Sequence, residues 1–512
     1  MMQHNNGLNE INSPKNTNLN TINPAFEFDK FSIGVEDIKT EAEQLLKKTE
    51  ATPHAEILHQ LIKQFEPLDF EVLANPHNAE NFKLNTKHFL VLSIENTLEF
   101  AENNRWGLCK NHDFIYLYNG TFWAEIDKET FQKFLGEAAE QMGVAKFSAR
   151  FYQFREQLFK QFLATAYLPT PESNKDTVLI NLKNGTFEIS PQGTNLRPFD
   201  RSDFITYQLP FEYNPQAKAP IFEAYLNKVL PDKERQKVLA EYLGYVFIKH
   251  GSNALKEEKA LVLYGTGANG KSVFFEIVNA LLGVENVSSY SLQSLTNENG
   301  YFRAKLANKL VNYASEINGN LEASTFKQMV SGEPVEARLP YGQPFILKQY
   351  AKLVFNCNEL PKDVEHTNAY FRRFLIIPFD VTIPPQEQDK QLHIKIIEKE
   401  LSGVFNWVLQ GLNRLLEQKR FSECEAAQRA VEQYRIESDS VQMFLNEHSY
   451  TVSATNEIPL KDIFSEYRNY CIESGFKACS LKTLADRLRS SGYQTERKNY
   501  GTGVNAEKKS FL

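Results

Sequence analysis

The sequence predicts an α/β fold, and three observations lead to it. Residues 265–272 read Gly-Thr-Gly-Ala-Asn-Gly-Lys-Ser, the G-x-x-x-x-G-K-[ST] pattern, between an apolar run at 260–264 and an amphipathic stretch at 273–282. Strand-like apolar runs and helical stretches alternate from there to about Phe379, the order of an α/β core. Two Asn-Gly dipeptides, Asn119-Gly120 and Asn184-Gly185, each separate alternating apolar segments, a strong short-range hairpin signal.

Size and composition set the frame. At 512 residues the chain has room for about three or four domains of ~150 residues. Hydrophobic residues make up 42% and aromatics 12%, enough for proper cores. The net charge of −7 argues against a protein coated in nucleic acid, but a basic groove or pore can sit on an acidic body. The five cysteines form no C-x-x-C pair, so reduced thiols in a cytoplasmic protein are expected. No apolar run reaches the roughly 18 residues of a membrane span, so no membrane partner is expected.

Taken in order, residues 1–30 read as a disordered Asn-rich tail, and 31–79 as an amphipathic helical segment of no assigned role. The hairpins at 114–123 and 179–189, with helices at 128–141 and 147–167 between them, predict a small α+β domain over 80–215. Prolines at 215 and 220 mark its end. The ATPase core is expected over 216–385, a helical segment over 386–448 and a DNA-binding winged helix over 449–512. In the last of these, Leu460–Leu512 reads as three helices and a hairpin. Lys461–Ser474 is one helix and Ser480–Arg489 a second, N-capped by Ser480, with a wing formed by 493–498 and 508–512. Lys482, Arg487, Arg489, Arg497 and Lys498 would carry positive charge to a DNA groove.

The chemistry centres on the glycine loop. Backbone N–H groups of Gly265, Thr266, Gly267, Ala268, Asn269 and Gly270 can close around phosphate oxygens at a helix N-terminus. Lys271 can reach the β- and γ-phosphates of ATP, and the Ser272 hydroxyl can ligate Mg²⁺. The strand at 309–314 runs into Ser315-Glu316, and a carboxylate at such a tip can polarise water or help hold the metal. The strand at 352–355 runs into Asn356-Cys357-Asn358, where Asn358 can hydrogen-bond the water or the γ-phosphate. Arg372 and Arg373 precede a buried strand and suit a finger that stabilises transition-state charge, acting on a neighbouring subunit.

The order Gly-Thr-Gly-Ala-Asn-Gly-Lys-Ser, Ala-Ser-Glu-Ile, Phe-Asn-Cys-Asn-Glu-Leu-Pro and Phe-Arg-Arg-Phe resembles the superfamily 3 helicases, and within them the phage/plasmid primase-helicases related to the poxvirus primase-helicase. Tyr118–Trp123, Ile180–Gly185 and Phe405–Leu412 extend the resemblance to roughly residues 85–512. The resemblance implies an AAA+-like P-loop core that assembles into a ring, usually a hexamer, hydrolyses ATP between subunits and draws single-stranded DNA through its centre to open duplex DNA. It also implies a pore hairpin with arms 335–338 and 344–347, in which Arg338 would meet phosphate and Tyr341 a base, with Lys327 nearby. Two departures stand out. One carboxylate, Glu316, replaces the acidic pair common in such helicases, and no primase catalytic set is present, so a primase partner would be a separate polypeptide. The competing reading is an AAA+ initiator or loader that binds DNA and uses ATP as a switch without unwinding. A third, a scaffold with a decayed site, conflicts with the intact Lys271, Ser272, Glu316 and Asn358.

Overall fold

The run Ala-Leu-Val-Leu-Tyr at 260–264 carries no charged side chain, and in the computed structural model it is an interior strand of a parallel sheet. The structure describes residues 53–75, 77, 79–80, 82–111, 114–168, 175–315, 317, 322–340, 342–361 and 364–508. The expected tail, and the helical segment as far as residue 52, lie outside the described residues. Five parallel strands, numbered within this sheet, are β1 (Ala260–Tyr264), β2 (Val287–Ser288), β3 (Val311–Ala314), β4 (Lys352–Cys357) and β5 (Phe374–Pro378). Their spatial order is β5-β1-β4-β3-β2. The loop strand β1 therefore has β4 and β5 as its partners, and the strand that leads to Glu316, β3, lies one place further out.

Parallel strands covered on both faces read as continuous apolar runs, because neighbouring side chains enter different cores. Leu261, Leu263, Val354, Leu375 and Ile377 enter one cluster. Ala260, Val262, Leu353, Phe355, Phe374 and Ile376 enter the other. The first face is covered by helices Pro220–Val229, Lys233–Tyr245, Lys271–Leu282 and the long Leu392–Gln418. The second is covered by short helices between 292 and 371, by the hairpin Val335–Arg338/Pro344–Leu347, and by Tyr434 of helix Glu425–Glu437.

These cores redraw the expected boundaries. The helical region 386–448 is no separate layer: Val404, Val408 and Leu412 share a cluster with Phe274 and Ile277 of the loop helix. The expected α+β domain at 80–215 divides. Its first sheet (108–111, 114–118, 123–126) has Leu108, Ile115 and Leu117 in a helical cluster with Ile57, Leu61 and Phe70, and Phe114, Tyr116 and Trp123 against the parallel sheet. Its second sheet (178–182, 185–190, 193–197) packs Val178, Ile180 and Phe187 into the core of the loop helix. Apolar residues on both faces explain why Phe114–Tyr118 is buried at every position.

Both hairpins form at the Asn-Gly dipeptides, and each gains a third strand, Leu108–Asn111 and Gly193–Arg197. The expected helix 147–167 is broken at Phe151 into Lys146–Arg150 and Tyr152–Thr165, because Phe151 is extended, with ψ 132. The terminal module has its own core, which begins earlier than expected, with Val441 and Phe444 of helix Ser440–Glu447. Among the described residues from 460 on there are two helices, not three, Leu460–Ser474 and Leu481–Ser490, and residues 509–512 of the expected wing lie outside the described residues. The wing also differs: Thr495–Lys498 pairs with Gly501–Val504, and Ala506–Lys508 crosses to Tyr450–Val452.

Candidate nucleotide-binding site

The glycine loop lies at the C-terminal end of β1, where open α/β sheets place their ligands. Its path depends on left-handed backbone at Gly267 (φ 113), Ala268 (φ 48) and Gly270 (φ 88). Two glycines are needed for space. A Cβ at Gly265 would stand 2.6 Å from the Phe379 carbonyl oxygen, and one at Gly270 2.6 Å from Val229 Cγ1. Neighbouring elements fix the loop. The Tyr225 hydroxyl donates to the Gly270 carbonyl at 2.9 Å, and the Ile383 N–H to the Ala268 carbonyl at 2.8 Å. The buried Asn269 amide donates to the Phe379 carbonyl at 3.1 Å. Thr266, Ala268 and Ser272 face solvent, and Ser272 lies in the first turn of helix Lys271–Leu282.

Lys271 is buried, and its ammonium donates to three neutral oxygens: the Gly265 carbonyl at 2.6 Å, Asn269 Oδ1 at 3.2 Å and Asn358 Oδ1 at 3.3 Å. Burial lowers its pKa. The nearby Cys357 thiol is pushed up to about 12 by its own burial, so it is neutral at physiological pH and supplies no counter-charge. A buried cation whose acceptors among the described residues are all neutral suits an anionic ligand.

The structure thus brings Lys271 and Asn358 together from β1 and β4, the strands that are direct neighbours. Asn356 is still within β4 and accepts from the Tyr313 hydroxyl at 3.0 Å, a contact inside the sheet layer. Glu316 lies outside the described residues.

Arg372 and Arg373 separate sharply. Arg372 is 58% exposed, with Glu258 at 3.3 Å. Arg373 is 9% exposed; it donates to Ser331 Oγ at 2.8 Å and to the Ala369 carbonyl, with Glu258 at 3.4 Å. Paired expectations for the two residues therefore give way to a single outward-facing one, since Arg373 is consumed by its own fold.

For the expected DNA contacts the arms of the hairpin form as read, with Val335 opposite Leu347 and Arg338 opposite Pro344. Arg338 is exposed, its Nε donating to the Gly342 carbonyl at 3.0 Å, and Tyr341 lies outside the described residues. Lys327, the further candidate contact, is ion-paired with Glu365 at 2.8 Å. In the terminal module Arg487 pairs with Asp439 at 3.3 Å, Arg489 with Asp486 at 2.5 Å, and Lys498 with Glu496 at 2.7 Å and Glu457 at 3.2 Å. Those three charges are locally balanced, while Lys482 and Arg497 are exposed. Among the described residues no helix is long and apolar enough to cross a membrane, and no cluster of metal-ligating side chains is found.

Sequence reasoning missed the residues that hold the loop: Tyr225, Phe379 and Ile383. Each acts through one hydrogen bond across a large sequence separation, and no local pattern marks such a contact.

Comparison with known proteins adds a relationship. Residues 99–231 match the family described as D5 N terminal like, and residues 263–373 match a family of unknown function, DUF5906. Two viral proteins are similar. "Putative helicase L207/L206" of Acanthamoeba polyphaga mimivirus is 26% identical over 240 residues, 44% of this chain and 24% of that protein. "Putative helicase 121R" of Invertebrate iridescent virus 3 is 23% identical over 345 residues, 59% of this chain and 36% of that protein. The chain thus spans about a quarter to a third of the length of these relatives. Among solved structures, the apo NrS-1 C terminal region aligns over 80% of this chain and 98% of that chain, at 12% identity and a TM-score of 0.45. The sequence matches relate the chain to viral proteins named as putative helicases, and its residues 99–231 to the D5 N terminal like family.

Proposed function

We propose that this chain is an ATP-dependent replicative DNA helicase of superfamily 3, from a phage, plasmid or integrated mobile element. It works as a ring, a hexamer, that hydrolyses ATP between subunits and moves along single-stranded DNA. The observation that carries this reading is the buried Lys271 ammonium, held by the loop and by Asn358 with no anionic partner among the described residues. The crowded Gly265 and Gly270, and the exposed first turn at Ser272, suit a triphosphate lying along the loop.

In this reading Lys271 exchanges its neutral acceptors for β- and γ-phosphate oxygens, and Asn358, released, orients the attacking water. Glu316 withdraws the proton, and Ser272 with Glu316 would hold Mg²⁺, which when bound neutralises phosphate charge. Arg372, exposed beyond β5, reaches the adjoining subunit's nucleotide. The hairpin 335–347 grips the strand through Arg338 and Tyr341. The hairpin favours a translocating ring over an initiator or loader that uses ATP only as a switch.

The test is strand displacement on forked duplexes with 3′ or 5′ tails. ATP-dependent displacement is expected, with turnover in Lys271→Ala at least about 100-fold lower. ATP turnover and DNA binding without displacement would favour the initiator reading; wild-type turnover in Lys271→Ala would remove the site.

A further inference from the structure

Away from the phosphate loop, two adjoining cavities open between the two small sheets and the hairpin. One, of about 370 Å³, has aromatic walls that include Phe114, Tyr116, Phe204 and Phe345. The other, of about 670 Å³, shares Asp203, Lys249, His250 and Lys348 with it, so the two lie side by side. The smaller volume lies in the range of small-ligand sites.

Two acceptor atoms in the aromatic chamber have no partner among the described residues. Asn111 is 92% buried, since 8% of it is exposed, and its Oδ1 bonds to none of them. Asp203 accepts from Arg197 at 2.8 Å through Oδ1, while its buried Oδ2 is unpaired. Each such orphan destabilises the fold unless a donor arrives. In the adjoining cavity the carboxylates Glu188 and Asp203 are already committed to Arg197, at 2.6 and 2.8 Å. Lys249 and Lys348 have no ion-pair partner among the described residues. An aromatic chamber with open acceptors therefore adjoins a vestibule whose lysines Lys249 and Lys348 make no salt bridge among the described residues, with Asp203 the acidic group that acts on Lys249.

We propose that these adjoining cavities bind a nucleotide, with an amine-bearing base in the chamber against Asn111 and Asp203 and its phosphate in the vestibule against Lys249 and Lys348. The base's N–H groups satisfy the orphan acceptors, its ring lies among the phenyl faces, and the phosphate balances the lysines. The free mononucleotide and the phosphorylated end of a nucleic-acid strand share this chemistry. Because Phe345, Ile346 and Leu347 form one wall, the occupant braces an arm of the hairpin. The site does not depend on the reading of the phosphate loop.

The test uses the full chain carrying Lys271→Ala, so that the phosphate loop is silenced. Calorimetric titration with AMP, GMP, CMP and UMP, and separately with a 5′-phosphorylated oligonucleotide, should show saturable binding of at least one of the two ligand types. Whichever binds identifies the source. Adenine, guanine and cytosine nucleotides should bind several-fold more tightly than uridine monophosphate. Lys249→Ala with Lys348→Ala should weaken binding about tenfold with the thermal midpoint unchanged. Absence of binding by both ligand types at millimolar concentration, binding indifferent to the two lysines, or equal binding of uridine monophosphate would overturn the proposal.

Discussion

At the scale of single residues, neighbours of the same type meet different environments. Arg372 and Arg373 differ by one position, and that position turns one outward and the other into the core. Arg373→Ala strands the Ser331 hydroxyl and the Ala369 carbonyl, so a loss of about 1–3 kcal/mol in stability is expected. Arg372→Ala should change stability by less than about 0.5 kcal/mol. In the proposed ring it should lower kcat with ATP binding intact. Chemical denaturation and steady-state kinetics on the two variants separate the roles; a normal kcat in Arg372→Ala would remove the finger.

Lys352 is a second case. It begins β4, is buried, donates to His250 Nδ1 at 3.1 Å and stands 4.1 Å from the Tyr245 ring centroid. His250 Nε2 meets the Tyr350 carbonyl at 3.1 Å, which leaves Nδ1 as the acceptor. Burial lowers the Lys352 pKa from 10.5 to about 7. Between those two values the unfolded chain holds a proton that the folded chain has released, so stability rises with pH across that window. Below it both states are charged and the burial penalty is complete. Lys352→Met should raise the thermal midpoint at pH 7 and flatten its climb to pH 9. An unchanged climb would place the titration elsewhere.

At the scale of elements, the loop is positioned by a relay of helices. Glu400, buried on helix Leu392–Gln418, accepts from the Ile221 N–H at 3.0 Å and the Phe222 N–H at 2.9 Å, capping the helix that carries Tyr225. The long helix reaches this place by close approach. A Cβ at Gly244 would lie 2.6 Å from Leu412 Cβ, and one at Gly411 2.5 Å from the Ala240 carbonyl oxygen. Gly244→Ala and Gly411→Ala should each destabilise by about 1–3 kcal/mol, against the usual gain for alanine in a helix. Equal or higher stability in denaturant would show that the helices can separate without loss. This layer also marks what the sequence could reveal. The loop, β1 and its helix were legible because glycine spacing and apolar periodicity are local. The third strands at 108–111 and 193–197 were not, since Leu-Cys-Lys-Asn and Gly-Thr-Asn-Leu-Arg carry no alternation and owe their state to pairing. The division of 80–215 between two cores was invisible for the same reason: it depends on which face meets which partner.

At the scale of the whole molecule, the terminal module leaves directly from the sheet. Tyr434 packs edge-on against Phe371 and Phe374, with centroids at 5.4 and 5.6 Å, and the chain passes from its helix into the module through Ser438 and Asp439. Asp439 Oδ1 caps helix Ser440–Glu447 through the Val441 and Gln442 N–H groups, both at 3.0 Å, and also meets Arg487 of the second module helix at 3.3 Å. His366, between Asn358 and Arg372, meets the Ser438 carbonyl at 2.7 Å, and burial lowers its pKa. Asp439 Oδ2 also stands 3.7 Å from His366 Nδ1, so one carboxylate joins the segment that leads to Arg372 with the helix that carries the exposed Lys482. Asp439→Asn preserves an N-cap residue but removes the charge that Arg487 faces. If this joint carries coupling between DNA held by the module and the ATPase site, the variant should keep its basal ATP turnover and fold while DNA stimulation falls roughly fivefold, about 1 kcal/mol. Turnover with and without duplex DNA measures both quantities in one assay. Full stimulation in Asp439→Asn would show that the module is tethered to the sheet without informing it.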